Sequence, residues 1–217
     1  MNFGDIKKRI HLITNTDKGL LVDDWIRSGQ RYLEDSLRIR AMEYFPTPTN
    51  MDVGTLEIAI PSDYLELIFL AIIYNNQRTV LSDRISMHAY TELVTNIAVT
   101  NTGKPSTFAR FGNTFRFDKY TDKIYKYEIG YLRRLSALTV AADTNWWTES
   151  AYDALFYASL VEAYPMLISV EPGHFDESGV LFTVWVEKRK EELGKLRKTN
   201  TQERLSGNIN DTALGAV

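Results

Sequence analysis

The side chains that could do chemistry are few and widely spaced. The chain has three histidines, His11, His88 and His174, too far apart to share a metal-ligand spacing. His11 and His88 fall on expected helices, where they read as packing or surface residues. His174 stands near Asp176 and Glu177, a trio that would suit a metal or acid/base site elsewhere. Beside Pro172 and Gly173 it reads instead as a solvated turn. With no cysteine, thiolate chemistry, disulfides and Cys-based zinc sites are excluded. Serine and threonine remain as nucleophiles, but no Gly-x-Ser-x-Gly elbow occurs. Thr102-Gly103-Lys104-Pro105 lacks the first glycine of a phosphate loop, and Pro105 has no backbone N–H to offer a phosphate. No catalytic, cofactor-binding or metal-ligating residue is predicted, and the chain reads as a non-enzyme.

Two other patterns could recognise a partner. Lys188, Arg189, Lys190, Lys195, Arg197 and Lys198 form a basic run suited to phosphate contacts. Glu187, Glu191 and Glu192 interrupt it, so a solvated amphipathic helix is the simpler reading. The Phe and Tyr residues of 107–132 invite base stacking, yet on alternating strands such rings more often fill a core or a protein interface. A nucleic-acid-binding module built on 188–198 and these strands is the main alternative function. A small hydrolase with an unrecognised site is the second. The formal net charge of -3 argues against a dedicated nucleic-acid binder. With 12 tyrosines and 4 tryptophans but no catalytic set, the residues point to an assembly or scaffold protein.

These patterns must be positioned by a core, and 217 residues at 44% hydrophobic can build a substantial one. A single domain over 1–198 is expected, with a flexible C-terminal tail over 199–217. The organising stretch is Asn145–Leu167, where Ser150 is expected to cap a helix over 150–168. Its apolar residues lie on nearly every side, which means burial. Asp5 is expected to cap a helix over 5–14, with Ile6, Ile10 and Ile13 on one face. A longer helix is expected over 20–44, with Val22, Trp25, Ile26, Gly29, Leu33 and Leu37 as its stripe and Pro46 and Pro48 ending it. Helices over 84–98 and 180–198 follow the same period. The last has Phe182, Trp185, Val186, Leu193 and Leu196 as its stripe and Glu191–Lys195 as a supporting pair.

The middle third changes to strand period. Leu56, Ile58 and Ile60 alternate with Glu57 and Ala59, while Tyr64–Tyr74 fits helix or strand. Thr107–Phe117 reads as a hairpin turning at Gly112-Asn113, with Phe108, Phe115, Phe117 and Arg110 on one face. Ile124–Leu132 sets Tyr125, Tyr127, Ile129 and Tyr131 against Lys126 and Glu128. The strands of 55–60 and 107–132 are expected to form one small antiparallel sheet with a wet side. The fold class is therefore α+β, mainly α: a core of four to five helices with a small antiparallel β-region inserted in the middle third. Lys7, Lys8 and Arg9 precede too short an apolar run for a signal peptide, and no stretch approaches ~18 apolar residues. A soluble protein made in the cytoplasm, with no membrane span, is expected.

Several separated motifs go further. Trp25-Ile26 is followed by Leu37-Arg38-Ile39-Arg40-Ala41-Met42, then by a strand into Ile60-Pro61-Ser62-Asp63-Tyr64-Leu65. Gly103-Lys104-Pro105 precedes the aromatic strands. Asn145-Trp146-Trp147, then Tyr152 through Ala163, lead to a last helix centred on Trp185. This order resembles the head–tail adaptor (connector) family of tailed bacteriophages, over about Leu20 to Leu196. The chain departs from the family pattern where Glu171-Pro172-Gly173-His174-Phe175-Asp176-Glu177 replaces an acidic stretch between the last two helices.

The resemblance implies a non-enzymatic virion protein of the head–tail junction, assembled in the host cytoplasm. Copies would form a dodecameric ring below the portal protein, extend the DNA channel and offer a platform to tail and neck proteins. Genomic DNA would pass through the lumen without sequence recognition, and neither cofactor nor membrane is implied. Trp25, Arg38, Trp146, Trp147, Tyr157, Glu162 and Trp185 are the structural or interface positions it marks. The polar segment 199–217 would order on docking, coupling folding to assembly.

Overall fold

The computed structural model describes residues 1–15, 19–81, 83–84, 101–170 and 179–213. Two compact units emerge, Met1–Met42 with Leu135–Val217, and Glu43–Arg134. The first is helical: α1 (Phe3–Thr14), α2 (Gly19–Ser36), a 3-10 turn (Arg40–Met42), α3 (Trp146–Ser150), α4 (Tyr152–Val170) and α5 (Val180–Ala213). The second carries nine strands among the described residues, β1 (Glu43–Tyr44), β2 (Thr49–Met51), β3 (Glu57–Ala59), β4 (Tyr64–Tyr74), β5 (Gln77–Val80), β6 (Asp83–Arg84), β7 (Thr107–Phe111), β8 (Thr114–Phe117) and β9 (Tyr125–Arg133). The α+β class with an inserted antiparallel region is what the alternating periods predict.

In the helical unit α4 is the axis. Ala154, Leu155, Phe156, Ala158, Ser159, Leu160 and Ala163 are all buried, as a helix apolar all round must be. Its start differs from expectation. Asn145, not Ser150, is the N-cap, in a reciprocal box with Thr148 that opens the short α3. Ala151, at φ -138 and ψ 39, then breaks the helix before α4 begins. Asn2 likewise caps α1, with Asp5 as its box partner three residues on. An Asn side chain reaches the free first-turn N–H groups from an extended backbone, which is why it wins both caps. Phe3, Ile6 and Ile10 form the buried face of α1, while Ile13 points outward.

The second helix stops at Ser36, well before residue 44. Arg38 folds back and its Nη1 donates to the carbonyls of Glu34 (2.9 Å), Asp35 (3.2 Å) and Leu37 (3.0 Å). Carbonyls left free at a helix end are satisfied this way, and a cation suits the negative end of the dipole. Glu43 and Tyr44 instead pair with Leu132 and Tyr131 in a sheet. At the other end of the unit α5 continues through Ala213 rather than stopping at Lys198. The expected helix over 84–98 lies outside the described residues from 85 onward.

The β-unit holds two sheets rather than one. A five-stranded sheet runs β1-β9-β4-β5 with β2 also on β9, and a four-stranded sheet runs β3-β8-β7-β6. The hairpin forms as expected, with φ +57 at Gly112 and Phe108 opposite Phe117. Its apolar face does not extend sideways into β9. Phe108, Phe115 and Phe117 instead share one core with Leu70, Ile72, Ile129 and Tyr131 from the other sheet. Two apolar faces bury more area face to face than edge to edge, so the strands divide into layers. The ambiguous run Tyr64–Tyr74 is strand β4, paired with β9 along most of its length.

Candidate functional site

The tryptophan block at Trp146-Trp147 is built on a polar hub. Glu34 is buried, and its Oε1 accepts from Gln30 Nε2 (2.8 Å), Leu135 N (3.1 Å) and Trp147 Nε1 (3.4 Å). Asn145 Nδ2 donates to Ser136 O (2.8 Å) and Gln30 Oε1 (3.3 Å). These bonds fix α3 and the segment at 135–136 onto α2. Left unpaired at this depth, each group would cost on the order of 1–3 kcal/mol. Sequence reasoning missed Gln30 and Glu34. Their signal is that they step by four from Ile26 and so place a polar pair on an otherwise apolar stripe.

A second polar contact ties the last helix to the end of α2. Asn200 Nδ2 donates to Arg38 O (2.8 Å), and Arg40 N donates to Asn200 Oδ1 (3.0 Å). One side-chain amide thus pairs with the backbone on both sides of Ile39, as a strand neighbour would. Arg204 Nη2 also reaches Arg38 O at 3.2 Å. Trp146 closes a cleft of about 40 Å³ beside Ile39, Arg40, Leu196 and Asn200. Residues 199–204, expected in the tail, are thus part of the helical unit's packing.

Along the seam of α4 and α5, Tyr164 stacks on Phe182 at 4.4 Å and meets Trp185 edge-on at 6.3 Å. The Arg189 guanidinium lies 4.1 Å over the Tyr32 ring and 3.9 Å from Glu162. Part of the basic run is engaged by its own helix. Lys188 pairs with Glu191 at 2.9 Å, and Lys195 with Glu191 (2.9 Å) and Glu192 (2.7 Å). Hydrogen bonds from Lys188 and Lys195 hold the Glu191 carboxyl down at about 2. The expected Glu191–Lys195 pair is present, and the run is less available to phosphate than its sequence suggests.

Of the seven marked positions, Trp25, Trp147 and Trp185 are buried in the helical unit. Arg38, Trp146, Tyr157 and Glu162 are half-buried. The fold brings Trp147 to the Glu34 hub, Arg38 and Trp146 to the Asn200 contact, and Glu162 and Trp185 to the α4–α5 seam. Tyr157 lies edge-on to Phe156 at 5.3 Å, and Trp25 sits in the α2 stripe apart from these. Among the described residues no His, Asp and Glu group could hold a metal ion. His88 and His174, with Asp176 and Glu177, lie outside them.

A family model described as SU10 adaptor protein matches residues 1–210, through both units and into the last helix. The chain belongs to the SU10 adaptor protein family. No curated protein matches it. Membership makes it a structural adaptor of a bacteriophage and a virion component, associated with other phage head and tail proteins, and points away from catalysis. No described helix is long and apolar enough to cross a membrane.

An SU10 adaptor works through surfaces, and several large apolar side chains lie open. In the helical unit Leu12 and Ile13 end α1, Met166 and Ile168 end α4, and Val180, Leu181 and Val184 begin α5. In the β-unit Phe45, Ile68, Phe111 and Ile124 are exposed. Phe45 stacks on Phe69 at 6.0 Å, and Arg78 caps Phe69 at 4.5 Å. Aromatic and aliphatic side chains grouped on a surface mark places where another protein can bury area.

Proposed function

We propose that this SU10 adaptor is the head–tail adaptor of a tailed phage, a ring seated between portal and tail that extends the DNA channel. The family match over residues 1–210 carries this reading. Copies would close by heterologous contacts, each subunit offering one patch to a neighbour and a different one to the other side. Twelve copies are the stoichiometry expected under the portal. DNA would pass through the lumen without sequence readout, and Lys188 and Lys195, already paired on α5, fit a channel that does not hold its cargo.

The last helix supports a reach toward a partner. At 34 residues it is about 51 Å long, against about 28 Å for the 19 residues of α4. We assign its end, beyond Arg204, to the portal-facing contact. The test mixes the purified protein with the portal ring of the same phage and images the product by electron microscopy. A second ring stacked on the portal is expected. A folded monomer that leaves the portal bare at high concentration would refute the ring. Truncation after Arg204 keeps the Asn200 contact and should abolish stacking. Unchanged stacking would remove the portal role of the helix end.

A further inference from the structure

The ring reading requires two different, mutually complementary patches on one subunit, and the helical unit presents a pair that fits. At the end of α1, Leu12 is 83% and Ile13 42% exposed. Leu12 shares the outer face of α1 with Lys8, opposite the buried Ile6–Ile10 stripe, and Ile13 continues that stripe past the point where it is covered. Lys8, one turn before Leu12, is the open charge beside them. Asp5 is spent in the N-terminal cap, Lys7 pairs with Asp23 and Arg9 with Asp153, whereas Lys8 has no partner among the described residues. At the start of α5, Leu181 is 43% and Val184 44% exposed. Glu187, one turn after Val184, is exposed and has no partner among the described residues. From 178 to 186 the sequence carries no Asp, Glu, Lys or Arg.

The two patches are separated along α4. Arg9 of α1 sits over Tyr152 and Phe156, while Phe182 of α5 stacks on Tyr164. Eight to twelve residues of helix part these footings, about 12–18 Å. The charges are opposite, and each lies about one helical turn from its apolar neighbour. Lys8 to Leu12 is four residues and Val184 to Glu187 is three, so in an antiparallel crossing Lys8 meets Glu187 as Leu12 meets Val184. Resting on the ring reading above, we propose that the end of α1 in one copy docks on the start of α5 in the next copy. The occupant of each patch is thus a second copy of this chain. Leu12 and Ile13 would supply the apolar contact, and Lys8 with Glu187 would set register more than affinity.

The chain has no cysteine, so introduced thiols are the only ones. Lys8→Cys and Glu187→Cys are made in separate chains, singly, at exposed positions that should not disturb folding. The two are mixed, assembled on the portal ring of the same phage and oxidised mildly. A dimer joining one chain of each kind is expected, with neither variant alone giving that product. The double variant should give covalent ladders. Stacked rings seen by microscopy without the mixed dimer would overturn this docking while leaving the ring intact. No assembly, even of the unaltered chain, would overturn both. As a second readout, Leu12→Asp should prevent ring closure while leaving the monomer's melting temperature unchanged. Normal rings from Leu12→Asp would also overturn the proposal.

Discussion

The helical unit and the β-unit each bury an apolar core but lock it differently. In the helical unit the close contacts involve backbone and buried polar groups. Gly29 lets α2 approach so far that an added Cβ would stand 2.7 Å from Ser159 N, and Glu34 gathers three N–H donors in the interior. In the β-unit the locks are rings. Phe108 meets Phe115 edge-on at 5.5 Å and Tyr64 meets Phe115 at 5.7 Å. Its close glycine, Gly130, faces the Phe69 and Phe45 rings rather than backbone. Rings turn out of the way; backbone and buried donors do not. The helical unit should therefore punish small changes and the β-unit absorb them.

Removing the hub is the harshest test of that contrast. Glu34→Ala strands the N–H groups of Leu135 and Trp147, leaves Gln30 its longer bond to Leu135 O at 3.3 Å, and should cost roughly 3 kcal/mol in chemical denaturation. Glu34→Gln keeps an acceptor and should lose only about 1 kcal/mol. Equal losses would mean the hub is not held by hydrogen bonding. A matched pair of glycine substitutions sharpens the comparison. Gly29→Ala should destabilise by about 1–3 kcal/mol, in the range for overpacking. Gly130→Ala should cost less, because Phe45 already stands 54% exposed and can swing aside. A larger loss at Gly130 would break the contrast.

A smaller effect is expected where α5 meets the end of α2. Truncation after Lys198 removes both Asn200 bonds to the Arg38–Arg40 backbone and the Arg204 contact. At about 0.5–1.5 kcal/mol per hydrogen bond, the turn at Arg40–Met42 should exchange its amide protons faster, while truncation after Arg204 leaves it protected. Hydrogen exchange distinguishes the two.

The mildest effect belongs to the β-unit at high pH. Burial, then the hydrogen bond its hydroxyl donates to Asp63, push Tyr131 from 10.0 up to about 12. Tyr125, buried and bonded to Asp122, is raised to about 12 as well. A phenol harder to ionise when folded contributes stability that is whole below its unfolded value near 10 and is lost as pH rises through about 12. Melting temperature should fall over that window, and Tyr131→Phe should shallow the fall without abolishing it. An unaltered slope would show that Asp63 does not hold the phenol.

Much of this architecture was legible in the order of residue types. Burial of α4 follows from having apolar side chains all round it. The turn at Gly112-Asn113 follows from needing positive φ there, and the α2 stripe from its period. The family resemblance, carried by the Asn145-Trp146-Trp147 block and the motifs around it, agrees with the match over residues 1–210. Helix ends were less legible, because they depend on competition. Ser150 and Asn145 can both cap, and only the turn at Ala151 shows which one does. Nor does any periodicity say that Arg38 will fold back to end α2 ahead of Pro46.

What the sequence by itself determined was which faces are apolar and with what period, since that depends only on neighbours along the chain. Which faces meet was decided by the tertiary structure. The aromatic strands split into two layers rather than one sheet because facing apolar surfaces exclude more water than adjoining edges do. Gln30, Glu34 and Asn145 became a hub, and Asn200 a partner of Arg38 and Arg40, through contacts spanning more than a hundred residues. A hydrogen bond is directional and works within about 3 Å, so which polar residues share one is settled only when packing brings them together.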